Sequence, residues 1–193
     1  MPDRRRLVFN HGGYMLKIDD SFFLLVDMQG KLAQMMHKRK DLFENITKLI
    51  EGLKILEIPF IWMEQYPKGL GETVPEIKDY LEGMTPFEKL SFGCGGDETI
   101  MSAIRELGRK QVIVAGIETH VCVYQSCKQL LEEGFDVTLV EDCTSSRRKS
   151  DRKTALRALE NVGVKLSTVE MTLFELMHIA GGEKFKMISK LVK

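Results

Sequence analysis

Two residues of this chain are of types, and stand in places, that could do nucleophilic and proton-transfer chemistry. Cys122 ends the run Val112-Ile-Val-Ala-Gly-Ile-Glu-Thr-His-Val-Cys122, in which a β-branched apolar stretch passes through a glycine into a segment of helical period. With Thr119 as N-cap, the thiol stands in the first helical turn. Unpaired backbone N–H groups and the positive end of the helix dipole there favour a thiolate and offer donors to an oxyanion. The same position also suits a small buried hydrophobe, which is what most free cysteines are. Asp27 closes the apolar stretch Phe22-Phe23-Leu24-Leu25-Val26, where a carboxylate is either a turn residue or part of a site.

A nucleophilic thiol needs a proton acceptor, most often a histidine. His120 is close in sequence, but two residues along a helix set the side chains about 200° apart. His11, His37 and His178 lie in no motif, so surface or capping roles are expected for all four histidines. Asp27 is the better acceptor. In an open parallel sheet ligands gather beyond the carboxyl ends of the strands, and neighbouring strands at the point where the order reverses would bring Asp27 and Cys122 to one crevice.

The elements that must do this positioning alternate short β-rich runs with longer segments of helical period, the pattern of an α/β domain with a mostly parallel sheet. Strands are expected at 22–26, 59–63, 111–116, 137–140 and 164–169, with a short sixth at 89–91. Helices are expected at 42–56, 99–107, 119–133, 151–162, 172–179 and 183–191, several of them stopped by glycine. Asp97 reads as the N-cap after the glycine-rich Phe92-Gly-Cys-Gly-Gly-Asp97, which lacks the Lys-Ser/Thr of a phosphate loop. No composition break divides the chain, so residues 1–193 read as one domain, with 1–18 as a mobile N-terminal arm.

Composition narrows the partners. Of 193 residues 44% are hydrophobic, enough for a real core, and 28 basic residues cancel 28 acidic ones. Charge therefore gives no reason to expect nucleic acid or a membrane surface as a partner. No apolar run approaches the roughly 20 residues of a spanning helix. Without a secretion signal or CxxC spacing, Cys94, Cys122, Cys127 and Cys143 read as reduced thiols of a cytoplasmic protein. The stripe of Phe185, Ile188 and Leu191 suits packing against the body or a neighbouring subunit, and a homo-oligomer is expected.

Three segments together resemble the signatures of the isochorismatase-like cysteine hydrolases: Leu-Leu-Val-Asp27-Met-Gln, Phe87-Glu-Lys89-Leu-Ser-Phe-Gly, and Gly116-Ile-Glu-Thr-His-Val-Cys122-Val. They stand in the family order Asp, Lys, Cys, and the similarity covers roughly residues 18–177. The resemblance implies a three-layer α/β/α domain with a six-stranded, mostly parallel sheet of Rossmann-like order 3-2-1-4-5-6. It implies Asp27 as proton acceptor, Lys89 as electrostatic support, and Cys122 as the nucleophile that forms an acyl-enzyme. It further implies a cis peptide between Ile117 and Glu118, and an oxyanion hole from the backbone amides of Glu118 and Cys122. Gln29, Glu64 and Phe92 are the expected substrate contacts.

Departures from the family narrow the branch. Nicotinamidase-like members carry histidines for a metal after the second strand, whereas this chain reads Trp62-Met-Glu-Gln-Tyr-Pro67, so neither metal nor cofactor is expected. Isochorismatases proper typically lack the cysteine. The segment Glu64-Gln-Tyr-Pro-Lys-Gly-Leu-Gly71 resembles the YcaC-like branch. The expected function is hydrolysis of a small amide or related carbonyl compound. A thiol-redox protein using Cys122, and a non-catalytic assembly or binding protein on the same fold, remain the alternatives. In the hydrolase reading the helix and Lys89 lower the pKa of Cys122 while Asp27 raises it, with Cys122 expected to be the most acidic of the four thiols.

Overall fold

The structure is a computed structural model that describes residues 14–193. Most of the expected N-terminal arm lies outside the described residues. Its last part belongs to the body, since Leu16 is fully buried and Tyr14 Oη lies 3.0 Å from Thr138 Oγ1.

Six strands form one parallel sheet: β1 (Ser21–Val26), β2 (Phe60–Gln65), β3 (Phe87–Lys89), β4 (Gln111–Ile117), β5 (Asp136–Ser145) and β6 (Lys165–Ser167). Their order is β3-β2-β1-β4-β5-β6, so the chain reverses direction across the sheet between β1 and β4. Strand β1 is buried along its whole length, and its pleat sends alternate residues into two cores. Phe23 and Leu25 join the apolar faces of α2 (Arg39–Ile55), α8 (Val169–Met177) and α9 (Gly182–Leu191). Phe22, Leu24 and Val26 meet those of α5 (Glu98–Glu106), α6 (Tyr124–Glu132) and α7 (Lys149–Asn161) on the other side. The result is the three-layer α/β/α domain expected.

Several boundaries differ from the sequence expectations, each for a local reason. Strand β5 does not stop at Val140. The polar Glu141-Asp142 pair reads as a strand end, but the Asp142 carboxylate accepts the Val169 N–H at 3.0 Å, and the register against β4 shifts between Val114 and Gly116 as the strand runs on to Ser145. Strand β3 covers Phe87–Lys89 rather than 89–91, because its partner is the end of β2. The last strand is shorter than 164–169, and its helix begins at Val169 behind a Thr168 side chain that accepts the Met171 N–H. Three short helices, at Gly30–Gln34, Pro67–Leu70 and Pro75–Lys78, are too brief to show a period. Asp97 does cap its helix, accepting from the Thr99 and Ile100 amides.

The segment carrying Cys122 departs most from expectation. Its first turn, Thr119–Val123, is π-helical, and Glu118 rather than Thr119 is its N-cap. The Thr119 hydroxyl instead lies 2.8 Å from Thr144 Oγ1, which in turn donates to the Gly116 carbonyl at 2.9 Å. The C-terminal stripe is also spent on the body: Ile188 is fully buried and the Phe185 ring packs on Phe174. It therefore offers little apolar surface to a neighbour. Among the described residues no helix is long and apolar enough to cross a membrane.

Candidate active site

Backbone register brings the three chemical residues together. Val26, the last residue of β1, pairs with Met63 of β2 on one side and Gly116 of β4 on the other. Asp27, one step beyond, takes a left-handed conformation (φ 50°), uncommon for a residue with a side chain and tolerated best by Asp and Asn. Its N–H donates to the Met63 carbonyl and its carbonyl accepts from the Gln29 N–H, so the chain turns sharply at the strand end. Gly116 lets β4 come close. It has φ 123°, and a Cβ there would stand 2.0 Å from the Val26 carbonyl oxygen. Beyond it the Ile117–Glu118 peptide is cis, as the resemblance implied.

Lys89 arrives from the far side of β2. Gln65 and Lys89 are paired residues of β2 and β3, so their side chains leave the sheet on the same face. The Lys89 ammonium is fully buried and donates to Asp27 Oδ2 at 2.8 Å, Gln65 Oε1 at 2.8 Å, the Phe92 carbonyl at 3.0 Å and the Ser91 carbonyl at 3.3 Å. An ammonium has three protons, so these four acceptors leave it nothing to offer a substrate carboxylate.

The other carboxylate oxygen, Asp27 Oδ1, is buried and has no nitrogen or oxygen donor among the described residues. The Cys122 thiol is near enough that it and the Asp27 carboxylate each act on the other's titration. Burial raises the pKa of Asp27 above the usual carboxylate value, and the Lys89 charge only partly offsets this. Burial, followed by the Asp27 charge, pushes the Cys122 thiol up to about 12, with Lys89 pulling the other way. The resting Cys122 is therefore a thiol, and the Lys89 ammonium at 2.8 Å favours the ionised form of Asp27 beside it. Instead of the low pKa expected for Cys122, burial raises both it and Cys94, and the Asp27 carboxylate adds to the rise at Cys122, whereas hydrogen bonds from Ser126 and backbone amides lower that of Cys94.

The remaining expected site residues occupy the same end of the sheet but are bound to the scaffold. The Gln29 carboxamide accepts the Gln65 N–H at 2.6 Å and donates to the carbonyls of Gln65 and Gly71. Glu64 Oε1 accepts the Thr73 N–H at 2.7 Å. Phe92 lends its carbonyl to Lys89, and its ring is half exposed. Glu118 Oε1 receives both the backbone N–H and the Nε–H of Arg147 at 3.1 Å. The Glu118 N–H has no acceptor among the described residues. His120 bonds Ser146 through Nδ1 at 2.9 Å and takes no part in the Asp27–Lys89 pairing.

Sequence reasoning did not single out Gln65 or Arg147. Gln65 ends an apolar strand just as Asp27 does, and that signal was available in the sequence. Arg147 lay within a basic run that reads as a solvated turn. A concavity of about 430 Å³, lined by Tyr66, Leu90, Ser91 and Lys89 among others, reaches Lys89, with neither Asp27 nor Cys122 in its lining. A more enclosed one, of about 320 Å³, lies between His37, Asn45 and Arg152 and contains none of the three chemical residues. The convergent ionisable groups, rather than enclosure, locate the site.

Comparison with known proteins fits this arrangement. Residues 21–171 match the isochorismatase domain model. The zebrafish (Danio rerio) isochorismatase domain-containing protein 2 is 40% identical over 178 residues, covering 92% of this chain and 89% of that protein. The structure named MAR1 ribonuclease from Caenorhabditis elegans is 36% identical with a TM-score of 0.86, covering 93% and 92% of the two chains. The YcaC gene product of Escherichia coli, described as an octameric hydrolase of unknown specificity, is 25% identical with a TM-score of 0.87 over 93% and 91%.

The electrostatics fix how Cys122 should react with an alkylating agent. A thiol held near 12 labels slowly at pH 7, and its rate climbs about tenfold per pH unit as the thiolate fraction grows. Replacing Asp27 by Asn removes the repelling charge and leaves Lys89, so thiolate forms more readily and labelling at a given pH rises. Peptide mass spectrometry after iodoacetamide treatment reads this directly. An Asp27→Asn rate equal to or below that of the parent chain would mean that the carboxylate does not act on the thiol.

Proposed function

This chain belongs to the isochorismatase family and carries its hydrolase fold, and from that premise we propose a metal-independent cysteine hydrolase that cleaves a small amide or related carbonyl compound. The observation that carries the proposal is the division of labour at Asp27. One carboxylate oxygen holds Lys89, the other is buried without a hydrogen-bond partner among the described residues, and the carboxylate charge acts on the Cys122 thiol.

In the reaction Asp27 accepts the Cys122 proton as Sγ bonds to the carbonyl carbon, and the carbonyl π pair moves onto oxygen. The Glu118 and Cys122 backbone N–H groups receive that oxyanion. As it collapses the C–N bond breaks, and Asp27 returns the proton to the departing amine. Water then attacks the thioester, giving a proton to Asp27, and the carboxylic acid leaves as Cys122 regains its proton. The sum is amide plus water to acid plus amine. Lys89 keeps its protons throughout and steadies the carboxylate. An Asp27 pKa above the usual carboxylate range suits a general base better than an ordinary aspartate would. At the end of β2, where a metal-binding relative needs imidazoles, Glu64 and Gln65 are engaged with Thr73 and Lys89.

The thiol-redox alternative needs a second accessible sulfur, and Cys94, Cys127 and Cys143 are fully buried. Four unpaired thiols suit a reducing cytoplasm. The name of the nematode structure raises RNA as a substrate. Here the net charge is zero and Lys89 is committed to Asp27, so RNA is expected to be left intact. A homo-oligomer is also proposed, in line with the octameric E. coli neighbour. Its support moves from the C-terminal stripe to the exposed apolar side chains of Met35, Tyr66, Leu70, Leu90 and Phe92.

Screening small neutral amides for amine release should find a substrate whose turnover disappears in Cys122→Ala while the thermal melt holds. Asp27→Asn should lose roughly 10²–10⁴-fold in turnover, even as it labels faster. Undiminished turnover in Cys122→Ala, or RNA cleavage that depends on Cys122, would contradict the assignment. Light scattering should report an assembly at micromolar concentration, and a monomer there would remove the oligomer from the account.

A further inference from the structure

The end of β2 holds a pair of glutamines that the reaction sequence above does not use. Gln29 accepts the Gln65 backbone N–H through Oε1 and donates through Nε2 to the Gln65 and Gly71 carbonyls. Gln65 in turn donates through Nε2 to the Leu90 carbonyl at 2.7 Å and accepts the Lys89 ammonium on Oε1 at 2.8 Å. Each carboxamide has one orientation that satisfies its neighbours. Turning Gln65 over would set its NH₂ against the ammonium and its oxygen against the Leu90 carbonyl; turning Gln29 over would set donor against donor and acceptor against acceptors. The fully buried Gln29 thus holds the Gln65 backbone, while the Leu90 carbonyl and the Lys89 ammonium orient the Gln65 carboxamide.

We propose that Gln65, fixed by Gln29, is a positioning residue that sets the charge Lys89 presents to Asp27 and Cys122, and through it the pH at which the thiol yields its proton. The inference rests on the cysteine-hydrolase reading and adds a control on its proton transfer. A neutral oxygen is the group this role calls for. It occupies one ammonium proton and fixes the direction of the others, while Asp27 remains the sole carboxylate bonded to the lysine. The charged groups that act on the thiol are Asp27, Lys89 and Glu118, the last held by Arg147, while Glu64 acts on Asp27 and Lys89 also acts on Cys94. Gln65 touches Lys89, the cation that pulls the Cys122 thiol toward its thiolate.

The test compares two substitutions with opposite expected signs. Gln65→Glu gives Lys89 a second carboxylate and weakens its pull on the thiolate. Iodoacetamide labelling of Cys122 should slow about tenfold at fixed pH, equivalent to one pH unit. Gln65→Met keeps the length but withdraws the oxygen that offsets the ammonium charge, so labelling should rise, by roughly threefold. A merely structural role would disturb both variants in the same direction. Thermal melts establish that each is folded, and either variant alone retains a definite expected sign if the other fails to fold. Profiles within twofold of the parent chain, or shifts in one common direction, overturn the proposal. Asp27→Asn run alongside separates the two levels: if it moves the profile and the Gln65 variants do not, this inference fails and the hydrolase reading stands. If Asp27→Asn also leaves the profile unmoved, the shared site itself fails.

Discussion

Everything at this site depends on an ion pair withdrawn from water. Asp27 and Lys89 meet at 2.8 Å with side chains 3% and 0% exposed. Burying two charges carries a desolvation penalty that their attraction repays only with good geometry and further hydrogen bonds. The lysine has these in Gln65, Ser91 and Phe92. The carboxylate does not: Oδ1 is left without a hydrogen-bond partner among the described residues. The fold thus tolerates an underbonded carboxylate oxygen, which is the property a proton acceptor requires. Removing either charged partner alone would leave an uncompensated buried charge, so these residues are bound to one another by stability as well as by chemistry.

The sheet supplies the means to hold such a pair. Strand order reverses between β1 and β4, so the loops that follow them diverge to opposite faces and leave a crevice at the carboxyl ends. Asp27 enters it from β1, and Cys122 from the turn after β4. Lys89 comes two strands away, from β3, and is directed inward by its register with Gln65. Around these three, the side chains of Gln29, Glu64 and Glu118 also bind the scaffold. Gln29 ties the end of β2 to the Gly71 loop, Glu64 ties it to Thr73, and the Glu118 carboxylate fastens the nucleophile turn to Arg147. Thr119 and Thr144 join that turn to β5 from the other side.

Much of this was legible in the sequence. The alternation of β-branched runs with helical periods specified the layers, and the polar residue closing an apolar strand marked Asp27. The place of Lys89 was legible only through the family resemblance, since a lysine on a three-residue strand has no local signature. What the sequence could not show was set by contacts between distant segments. The continuation of β5 through Glu141-Asp142 depends on a partner at Val169, and the π-helical turn at Thr119 on a hydroxyl at Thr144. The sign of the thiol pKa shift was likewise a contest between helix, lysine and aspartate that only burial decides. Local rules favoured a thiolate at a helix start; desolvation and a neighbouring carboxylate reverse that preference.

The central claim is that at neutral pH Cys122 is a protonated thiol resting on Asp27. The most direct measurement is the infrared difference spectrum, in the S–H stretching region, between the parent protein and Cys122→Ala at pH 7. The account requires a band from Cys122 that shifts when Asp27 becomes Asn. The absence of any Cys122 S–H band would show a resting thiolate, and a band indifferent to Asp27→Asn would show a thiol with no tie to the carboxylate; either result contradicts the account.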